Sequence, residues 1–319
     1  MLQLNVNMDT IQDGVEHMNI KNKRLSSLID EYYLSFDFKS LRDETKVQYQ
    51  YFLGVVLDTK IGDAQKLGSI NFSDITTKMA KVSYEQWCER GIHLANHVMS
   101  VARVVYNYGI HMEHCTINPF SSIKRRTPIA RKVVWSRDDV KAYLDVAYSD
   151  FYTRSLGLIV HMAYEWCQRL GDMRVIKWSN LDLVEKKMHI QQSKRRAEVF
   201  LPIEDGLCKM LIQQEQDFGF QEYVAPRPRP RRGIHLPYTI TKLPVEGRKI
   251  MNSAGLSKEL RLSDLRRTGT TEMVDAGVSM GNIMSVTGHT NPQSVKPYMK
   301  NTFASANLAL STRKKLTHC

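Results

Sequence analysis

Apolar residues recur at three- and four-residue steps through the first third of the chain, a spacing typical of amphipathic helices. In the stretch LSSLIDEYYLSF the side chains that share a face are Leu25, Leu28, Ile29, Tyr32 and Phe36. The stretches LRDETKVQYQYFLGVVL and IHLANHVMSVARVVYNYGI repeat the spacing, and the second of them ends near Gly109. Because no alternating pattern occurs here, we expect a small all-helical domain over residues 24–115.

The pattern becomes mixed beyond residue 134. Ser136 can cap a helix that has acidic residues in its first turn, and SLGLIVHMAYEWC predicts a buried helix that is too short to cross a bilayer. The stretch KKMHIQQSKRRAEVFLPI alternates apolar and polar residues on both sides of a basic turn, which predicts a β-hairpin. We therefore expect a second domain over residues 134–300, and a fold that is mainly α with a small antiparallel β-sheet.

Prolines and basic residues interrupt the periodicity between these two regions. The segment TINPFSSIKRRTPIARKVV contains Pro119 and Pro128, which favour an extended path, so we predict a linker over residues 116–133. Its charges suit contact with a phosphate backbone, and a solvated connector is the alternative. The candidate DNA-binding residues are Lys124, Arg125, Arg126, Arg131 and Lys132. Farther along, APRPRPRRG at residues 225–233 predicts a stiff basic loop.

Composition narrows the class of partner. The chain has 319 residues, with 45 Lys and Arg against 33 Asp and Glu, so its formal net charge is +12. The length favours two domains, and the charge favours nucleic acid as the partner. The N-terminal sequence lacks the apolar run of a secretory signal, and five scattered cysteines without a CxxC pair suggest neither disulfides nor a zinc site. We expect a soluble protein of a reducing cytoplasm, with residues 1–23 as a flexible arm.

Residues that can perform chemistry gather in LSDLRRTGTTEMVDAGVSMGNIMSVTGHTNPQSVKPYMK, residues 262–300. Three short helices are predicted there by residues that cap, open or end helices, namely Ser263, Gly277, Ser279, Gly288 and Pro292. Ser263 would cap a helix that begins at Asp264. Arg266 then lies in the first turn of the first helix, His289 follows the second, and Tyr298 lies on the third. These elements could converge on one phosphate group.

This pattern resembles the tyrosine recombinase (phage integrase) family. The family's signature is an arginine ahead of a hairpin lysine, then a His-x-x-Arg box, a Gly-His pair and a tyrosine nucleophile nine residues after that histidine. The matching residues are Arg169 in CQRLGDMRVIKWSNLDL, Lys194 in SKRRAEVFLPI, Arg266 in SDLRR, His289 in TGH and Tyr298 in KPYMK. Asp172 and Trp178 also stand at the family's acidic and tryptophan positions. The resemblance covers nearly the whole chain beyond its first two dozen residues.

The resemblance implies a covalent mechanism. Tyr298 would attack a DNA phosphate, and Arg169 and Arg266 would neutralise its non-bridging oxygens. Lys194 would protonate the departing 5′ oxygen, while His289 would donate a further hydrogen bond or assist proton transfer at the tyrosine. No cofactor is implied, and the sequence has neither a GxxxxGK[ST] loop nor a carboxylate cluster suited to magnesium.

Ser263 departs from the family pattern, because it occupies the position where the family usually has the histidine of the box. A serine hydroxyl can donate a hydrogen bond to a phosphate oxygen, but it cannot carry a positive charge or act as a general base near neutral pH. We include Ser263 among the candidate catalytic residues. The alternative is that it only caps its helix.

Three functions from different classes are compatible with these residues. The first is a site-specific DNA recombinase, such as the integrase of a phage or mobile element. The second is a DNA-binding protein that kept the fold and lost the chemistry, and the third is a relaxing enzyme like the type IB topoisomerases. The complete set of matching catalytic residues other than Ser263 favours chemistry over binding alone.

The resemblance also implies how the chain assembles. A two-domain clamp would hold double-stranded DNA with paired recombination sites, and accessory DNA-bending proteins could assist it in the cytoplasm of a bacterial host. Residues 301–319 include the apolar Phe303, Leu308 and Leu310. Such a tail would pack on a neighbouring protomer and support a tetramer on DNA, or it would fold back on its own domain.

Overall fold

The computed structural model describes residues 23–62, 65–129, 131–194 and 196–298, together with residues 306, 307, 309–311, 313 and 314. The chain divides into two compact units, Met1–Ala130 and Arg131–Cys319. The arm predicted over residues 1–23 lies outside the described residues except for Lys23, and so do the predicted tail residues Phe303 and Leu308.

The first unit is built mainly of helices, as the three- and four-residue spacing predicts. They are α1 (Leu25–Leu34), α2 (Phe36–Lys39), α3 (Asp43–Asp58), α4 (Thr77–Arg90) and α5 (Ile92–His111). Thr76 caps α4, because its side chain accepts a hydrogen bond from the backbone N of Met79 at 3.3 Å. The apolar faces meet in one core that includes Leu28, Trp87 and Val98.

Two short strands show that the expectation of an all-helical first domain was wrong. Strands β1 (Lys60–Ile61) and β2 (Gln65–Lys66) pair antiparallel after α3. Each has only two residues, so neither could produce the alternation by which a strand is detected in a sequence.

The first part of the predicted linker packs against the helical unit. Phe120 and Ile123 are buried in its core. The side chain of Arg103 on α5 explains this packing, since its Nε donates to the carbonyl oxygen of Phe120 at 2.8 Å and its Nη2 to that of Ser121 at 3.2 Å. Asn118 adds a bond from its Nδ2 to the Arg103 carbonyl at 3.0 Å. Residues 118–123 of the predicted linker therefore pack on the helical unit and do not form a solvated connector.

The second unit contains helices around a small sheet. The helices are α6 (Arg137–Tyr148), α7 (Phe151–Glu165), α8 (Leu170–Met173), α9 (Asp205–Phe218), α10 (Lys242–Ser253), α11 (Leu265–Asp275) and α12 (Met280–Thr287). Ser136 caps α6 as predicted: its Oγ accepts from the backbone N of Asp139 at 3.0 Å, and Asp139 Oδ2 accepts from the backbone N of Ser136 at 2.8 Å. Helix α7 is mostly buried, as its apolar run predicts.

The predicted hairpin is present and carries one strand more than expected. Strands β3 (Leu181–Asp182), β4 (Lys187–Gln191) and β5 (Glu198–Pro202) form an antiparallel sheet in the order β3-β4-β5. Ile190 pairs with Val199, and both side chains are buried with those of Met188 and Leu201. The mainly helical fold with a small antiparallel sheet is confirmed.

The last elements follow the predicted order with one difference. Helix α12 begins after Ser279, whose side chain accepts from the backbone N of Asn282 at 3.3 Å. The third predicted helix consists of two 3-10 turns, Pro292–Ser294 and Lys296–Tyr298. Pro297 accounts for this difference, because proline lacks the N–H that an α-helix needs at an interior position. Among the described helices, none has the length and apolar character needed to span a bilayer.

Candidate active site

Arg169 lies just before α8 and faces the end of strand β4. Its Nη1 donates a 2.8 Å hydrogen bond to Gln192 Oε1 and lies 3.8 Å from Asp172 Oδ2. Gln192 is fully buried. Its Nε2 donates to Gln168 Oε1 at 2.6 Å and to the carbonyl oxygen of Thr287 at 2.8 Å. One buried amide therefore fixes the arginine relative to the sheet and to the end of α12.

Asp172 connects α8 with the hairpin turn. Its Oδ1 accepts a hydrogen bond from the backbone N of Ser193 at 3.1 Å. Lys194 follows directly, and its side chain is exposed. The base of the turn is thus anchored, while the lysine beyond it projects into solvent.

Arg266 lies in the first turn of α11 and reaches the end of α12. Its Nη2 donates to the Thr287 carbonyl oxygen at 2.7 Å and lies 3.2 Å from His289 Nε2. His289 Nδ1 is 2.7 Å from Thr287 Oγ1, which donates to the Ile283 carbonyl at 2.7 Å. The Thr287 hydroxyl has one proton and donates it to the Ile283 carbonyl oxygen. It therefore accepts a hydrogen bond from His289 Nδ1. A guanidinium can only donate, so in this arrangement Nε2 accepts from Arg266 and the ring proton is assigned to Nδ1.

The electrostatics around Arg266 are those of an anion site. Burial, and next the charge of Arg169, lower the pKa of Arg266 to about 10, so the guanidinium stays protonated at neutral pH. Its Nη1 is buried without a hydrogen-bond partner among the described residues. An anion held between two guanidinium groups would relieve their repulsion and supply the missing acceptor.

Gly288 is required at the end of α12 for two reasons. Its φ is +66°, in the left-handed region that favours glycine at a helix end. A Cβ at this position would come within 2.6 Å of Gln192 Nε2. A side chain here would therefore displace the amide that fixes Arg169.

Tyr298 lies beside this cluster at the end of the 3-10 turn Lys296–Tyr298. The centroid of its half-buried ring is 6.2 Å from that of His289, and the Arg267 guanidinium lies 5.7 Å from it. Its backbone N donates to the carbonyl oxygen of Val295, a buried residue, at 2.9 Å. The phenol is thus held next to an imidazole and a cation.

A cavity of about 340 Å³ is lined on its polar side by Arg169, Arg174, Ser263 and Arg266. Leu170 and Leu243 contribute to its apolar side. The structure therefore brings three of the predicted site residues, Arg169, Ser263 and Arg266, to one cavity. It places His289 and Tyr298 next to Arg266, and Lys194 on the neighbouring hairpin turn.

A comparison with known families identifies the part of the chain that contains these residues. A family model described as "Phage integrase family" matches residues 133–305, which is more than half of the 319-residue chain. The chain belongs to the phage integrase family. The match begins close to the start of the second unit and includes every residue of the cavity and of the cluster around Arg266.

Solved integrase structures share the fold of the chain. A lambda integrase dimer bound to a COC′ core site has a TM-score of 0.72 at 18% identity, over 87% of this chain and 77% of that chain. A lambda integrase tetramer bound to a Holliday junction also has a TM-score of 0.72, at 17% identity over 93% and 82%. The Tn1549 transposon integrase in complex with a circular intermediate DNA has a TM-score of 0.72 at 13% identity, over 91% and 100%. No curated protein matches the chain.

The prediction that Ser263 caps a helix is wrong. Ser263 is exposed inside a 3-10 turn, Leu262–Asp264, and α11 begins only at Leu265. Asp264 closes the turn instead, because its Oδ2 accepts from the backbone N of Arg261 at 3.0 Å. Ser263 is therefore an exposed residue of this turn that lines the cavity together with Arg266.

Arg131 differs from the other candidate DNA-binding residues. Its Nη2 lies 2.9 Å from Asp264 Oδ2, its Nε donates to Asp264 Oδ1 at 3.0 Å, and it also bonds the Glu259 carbonyl. This pair fixes the start of the second unit to the turn that carries Ser263. The exposed residues of the set are Lys124, Arg125, Arg126 and Lys132.

Three residues around the site carry no signal in the sequence analysis. Gln168 and Gln192 are fully buried and bond each other. Arg174 lines the cavity, and its Nη1 donates to the Tyr238 carbonyl at 2.9 Å. Trp178 donates from Nε1 to the carbonyl oxygen of Phe218 at 3.2 Å, a contact that joins it to the end of α9.

Proposed function

We propose that this chain is a site-specific DNA recombinase, the integrase of a phage or mobile element, that cuts and rejoins DNA through a 3′-phosphotyrosyl intermediate. The observation that carries the proposal is the pair Arg169 and Arg266. Both line one cavity, and the buried Nη1 of Arg266 has no hydrogen-bond partner among the described residues. A phosphodiester is an anion with two non-bridging oxygens that two guanidinium groups can bind together.

The proposed reaction exchanges one phosphate ester for another. The Tyr298 hydroxyl passes its proton to His289 as its oxygen attacks phosphorus. The new O–P bond forms, and the bond from phosphorus to the 5′ oxygen breaks with the electron pair going to that oxygen. Lys194 supplies the proton that the leaving oxygen takes up. In the second half, a 5′ hydroxyl loses its proton and attacks phosphorus, the bond from phosphorus to the Tyr298 oxygen breaks, and the phenolate takes up a proton. The energy of the ester is kept, so the strands can be rejoined without ATP or metal.

The orientation of His289 supports one of its two expected roles. Its Nε2 lone pair accepts from Arg266, so Nε2 has no proton to donate to a phosphate oxygen in this arrangement. Its ring lies 6.2 Å from that of Tyr298. We therefore assign His289 to proton transfer at the tyrosine, with a side-chain shift during catalysis.

The proposed partner is double-stranded DNA with paired recombination sites. In this proposal residues 24–115 bind the core site and residues 134–300 perform the chemistry. The lambda integrase tetramer on a Holliday junction, which has a TM-score of 0.72 to this chain, supports a tetramer of this protein on DNA. We further propose that residues 301–319 join protomers, that accessory DNA-bending proteins assist, and that the enzyme acts in the cytoplasm of a bacterial host.

A covalent adduct tests the proposal directly. We expect the protein to attach to nicked suicide duplexes with randomised centres, from which the 5′ fragment leaves after cleavage, and sequencing of the captured duplexes would give the preferred site. Tyr298→Phe should form no adduct and should bind DNA within about a few-fold of wild type, since it removes one hydroxyl and no charge. Adducts formed by the phenylalanine variant would contradict the assignment.

The same assay separates the competing functions. A protein of this fold that only binds DNA forms no adduct. A relaxing enzyme forms the adduct and removes supercoils from any plasmid, whereas a recombinase needs two copies of the captured site before it exchanges strands. Plasmids with no, one or two captured sites distinguish these outcomes.

A further inference from the structure

A basic hairpin, residues 226–236, belongs to the second unit and takes no part in the chemistry above. We call it the Arg-Pro arm. Arg231 and Ile234 exchange backbone hydrogen bonds of 2.9 and 3.1 Å. Between them stand Arg232 and Gly233, with φ of +52° and +78°. Two central residues with positive φ define the tight type I′ turn of β-hairpins.

The residues that flank the Arg-Pro arm on both sides are buried in the core of the second unit. Val224 is fully buried before it and Tyr238 is buried after it. Across the base of the arm, the backbone N of Arg227 donates to the Leu236 carbonyl at 2.9 Å. His235 Nδ1 lies 3.0 Å from the Arg227 carbonyl oxygen. The arm is therefore positioned before any partner arrives, which lowers the entropic cost of binding.

The prolines of the arm determine which of its groups can contact a partner. Pro226, Pro228 and Pro230 fix their own φ and keep the residues before them out of the helical region. They also remove the backbone N–H from alternate positions, so this leg cannot pair as a regular strand with another chain. A partner would therefore contact mainly side chains.

Those side chains are cations that form no ion pair within the described residues. Arg229, Arg231 and Arg232 are exposed, and no acidic residue occurs between Glu222 and Glu246. Within the described residues, none of the arginines of the arm forms an ion pair. The Arg229 guanidinium lies 5.2 Å from the centroid of the Tyr152 ring, which orients it without neutralising it.

The chain runs from the arm to a residue that lines the cavity. Ile240 lines that cavity together with Arg169 and Arg266. Eight residue steps separate Ile240 from Arg232, and at about 3.6 Å per residue they span at most about 29 Å. At about 3.4 Å per base step, the tip lies within about eight base pairs of a phosphate held in the cavity.

We propose that the Arg-Pro arm binds the sugar–phosphate backbone of the DNA that flanks the cleavage point, independently of base sequence. Arginine forks bind phosphate oxygens bidentately, and the cavity beside the arm is itself suited to a phosphodiester. An acidic protein surface is the competing partner. It is less favoured because the chain between Arg232 and Ile240 keeps the tip of the arm within about 29 Å of a cavity suited to a phosphodiester. The choice of DNA as the ligand rests on the proposed function. The binding test does not require the protein to cut DNA.

The salt dependence of DNA binding measures how many phosphate contacts the arm makes. The full chain and the variant Arg229→Gln/Arg231→Gln/Arg232→Gln are titrated against a mixed-sequence duplex of about 30 base pairs at several concentrations of potassium chloride, with fluorescence anisotropy as the readout. Each phosphate contact contributes about 0.9 to the slope of log K against log salt concentration. We expect the slope of the variant to be shallower by about 2 to 3. Substitution of the same residues by Lys should retain most of the slope.

A matched control removes three positive charges elsewhere in the second unit. Lys141, Lys186 and Lys187 each lie beside a carboxylate, at 3.8, 2.6 and 3.3 Å respectively. Their substitution by Gln should change the slope by less than about 1. A Gln variant of the arm with the wild-type slope, or with only the control's change, would overturn the proposal, and an acidic protein partner is then the remaining ligand.

Covalent adduct formation separates this inference from the proposed function. At low salt and saturating protein, the Gln variant of the arm should still form the adduct at Tyr298, since it keeps Arg169 and Arg266. If wild type forms no adduct and the slope still falls, the recombinase proposal fails while the arm still binds DNA. A melting curve checks that the triple variant is folded, and the single variant Arg231→Gln, with an expected loss of about 0.9, gives a milder test.

Discussion

Two arginines of the second unit, Arg154, which is buried, and Arg266, which is partly buried, differ in their partners. Arg154 on α7 donates from Nε to Gln214 Oε1 at 2.7 Å and pairs through Nη2 with Asp217. Within the described residues, the hydrogen-bond partners of the Arg266 guanidinium are a carbonyl oxygen and an imidazole, and Arg169 is the charge that acts on it most strongly. The first arginine is satisfied by its own chain and joins α7 to α9. The second is held where only a ligand can complete its bonds.

This difference separates stability from function. A buried charge that is paired contributes to the fold, whereas a buried charge next to a like charge is retained at a cost to folding. Burial alone therefore does not mark a site in this molecule. The sign of the neighbouring charge does mark it.

The largest effect is expected on cleavage when either cavity arginine is removed. Arg169→Ala and Arg266→Ala should each lower the single-turnover rate of adduct formation by about 10² to 10³, the loss typical of one transition-state donor. Quenched time courses on the captured suicide duplex measure the rate. Cleavage near the wild-type rate in either variant would remove that residue from the site.

The satisfied arginine should show the opposite behaviour. Arg154→Ala leaves the buried Gln214 oxygen without its donor and Asp217 without its cation, so we expect the free energy of unfolding to fall by about 2–3 kcal/mol. The rate of adduct formation per folded molecule should not change. Urea denaturation measures the first quantity and active-site titration the second. A thousand-fold loss of cleavage in a folded Arg154→Ala protein would show that the two regions are not separate.

Binding of a simple anion should sharpen the contrast further. Inorganic phosphate in the cavity would satisfy Arg266 Nη1 and bind the native state alone, which raises the melting temperature of the second unit by about 2–4 °C at several times the dissociation constant. Arg154→Ala should retain this shift. Arg266→Ala should lose it, and differential scanning fluorimetry with potassium chloride at equal ionic strength supplies the baseline. Equal shifts in all three proteins would show that phosphate acts outside the cavity.

Local patterns in the sequence predicted much of this arrangement. The cap at Ser136, the hairpin of β4 and β5, and the glycine that ends α12 all depend on residues a few positions apart. The order of Arg169, Arg266, His289 and Tyr298 was visible for the same reason, once it was compared with a family signature. Such local patterns can be recognised in the sequence without knowledge of the tertiary structure.

Contacts between distant positions could not be predicted. Gln192 bonds Gln168, 24 positions away, and Thr287, 95 positions away, and nothing in a single sequence links these residues. The packing of Phe120 depends likewise on a hydrogen bond from Arg103. From the sequence, a charged residue such as Arg103 is expected on the surface. The expected cap at Ser263 failed because Asp264, one position later, has a longer side chain that closes the turn onto Arg261.

The smallest predicted effect concerns Ser263, which is exposed and lines the cavity with Arg169 and Arg266. If its hydroxyl donates to the phosphate, Ser263→Ala should slow adduct formation by about five-fold, the equivalent of one neutral hydrogen bond of about 1 kcal/mol. Ser263→His should be tolerated, because the side chain faces a cavity of about 340 Å³ rather than a packed core. Ser257→Ala, at an exposed serine outside the cavity lining, is the matched control. Since Ser263 is not a helix cap, a slow alanine variant cannot be attributed to lost capping. An alanine variant as fast as wild type would instead show that Arg169 and Arg266 bind the phosphate without help from this position.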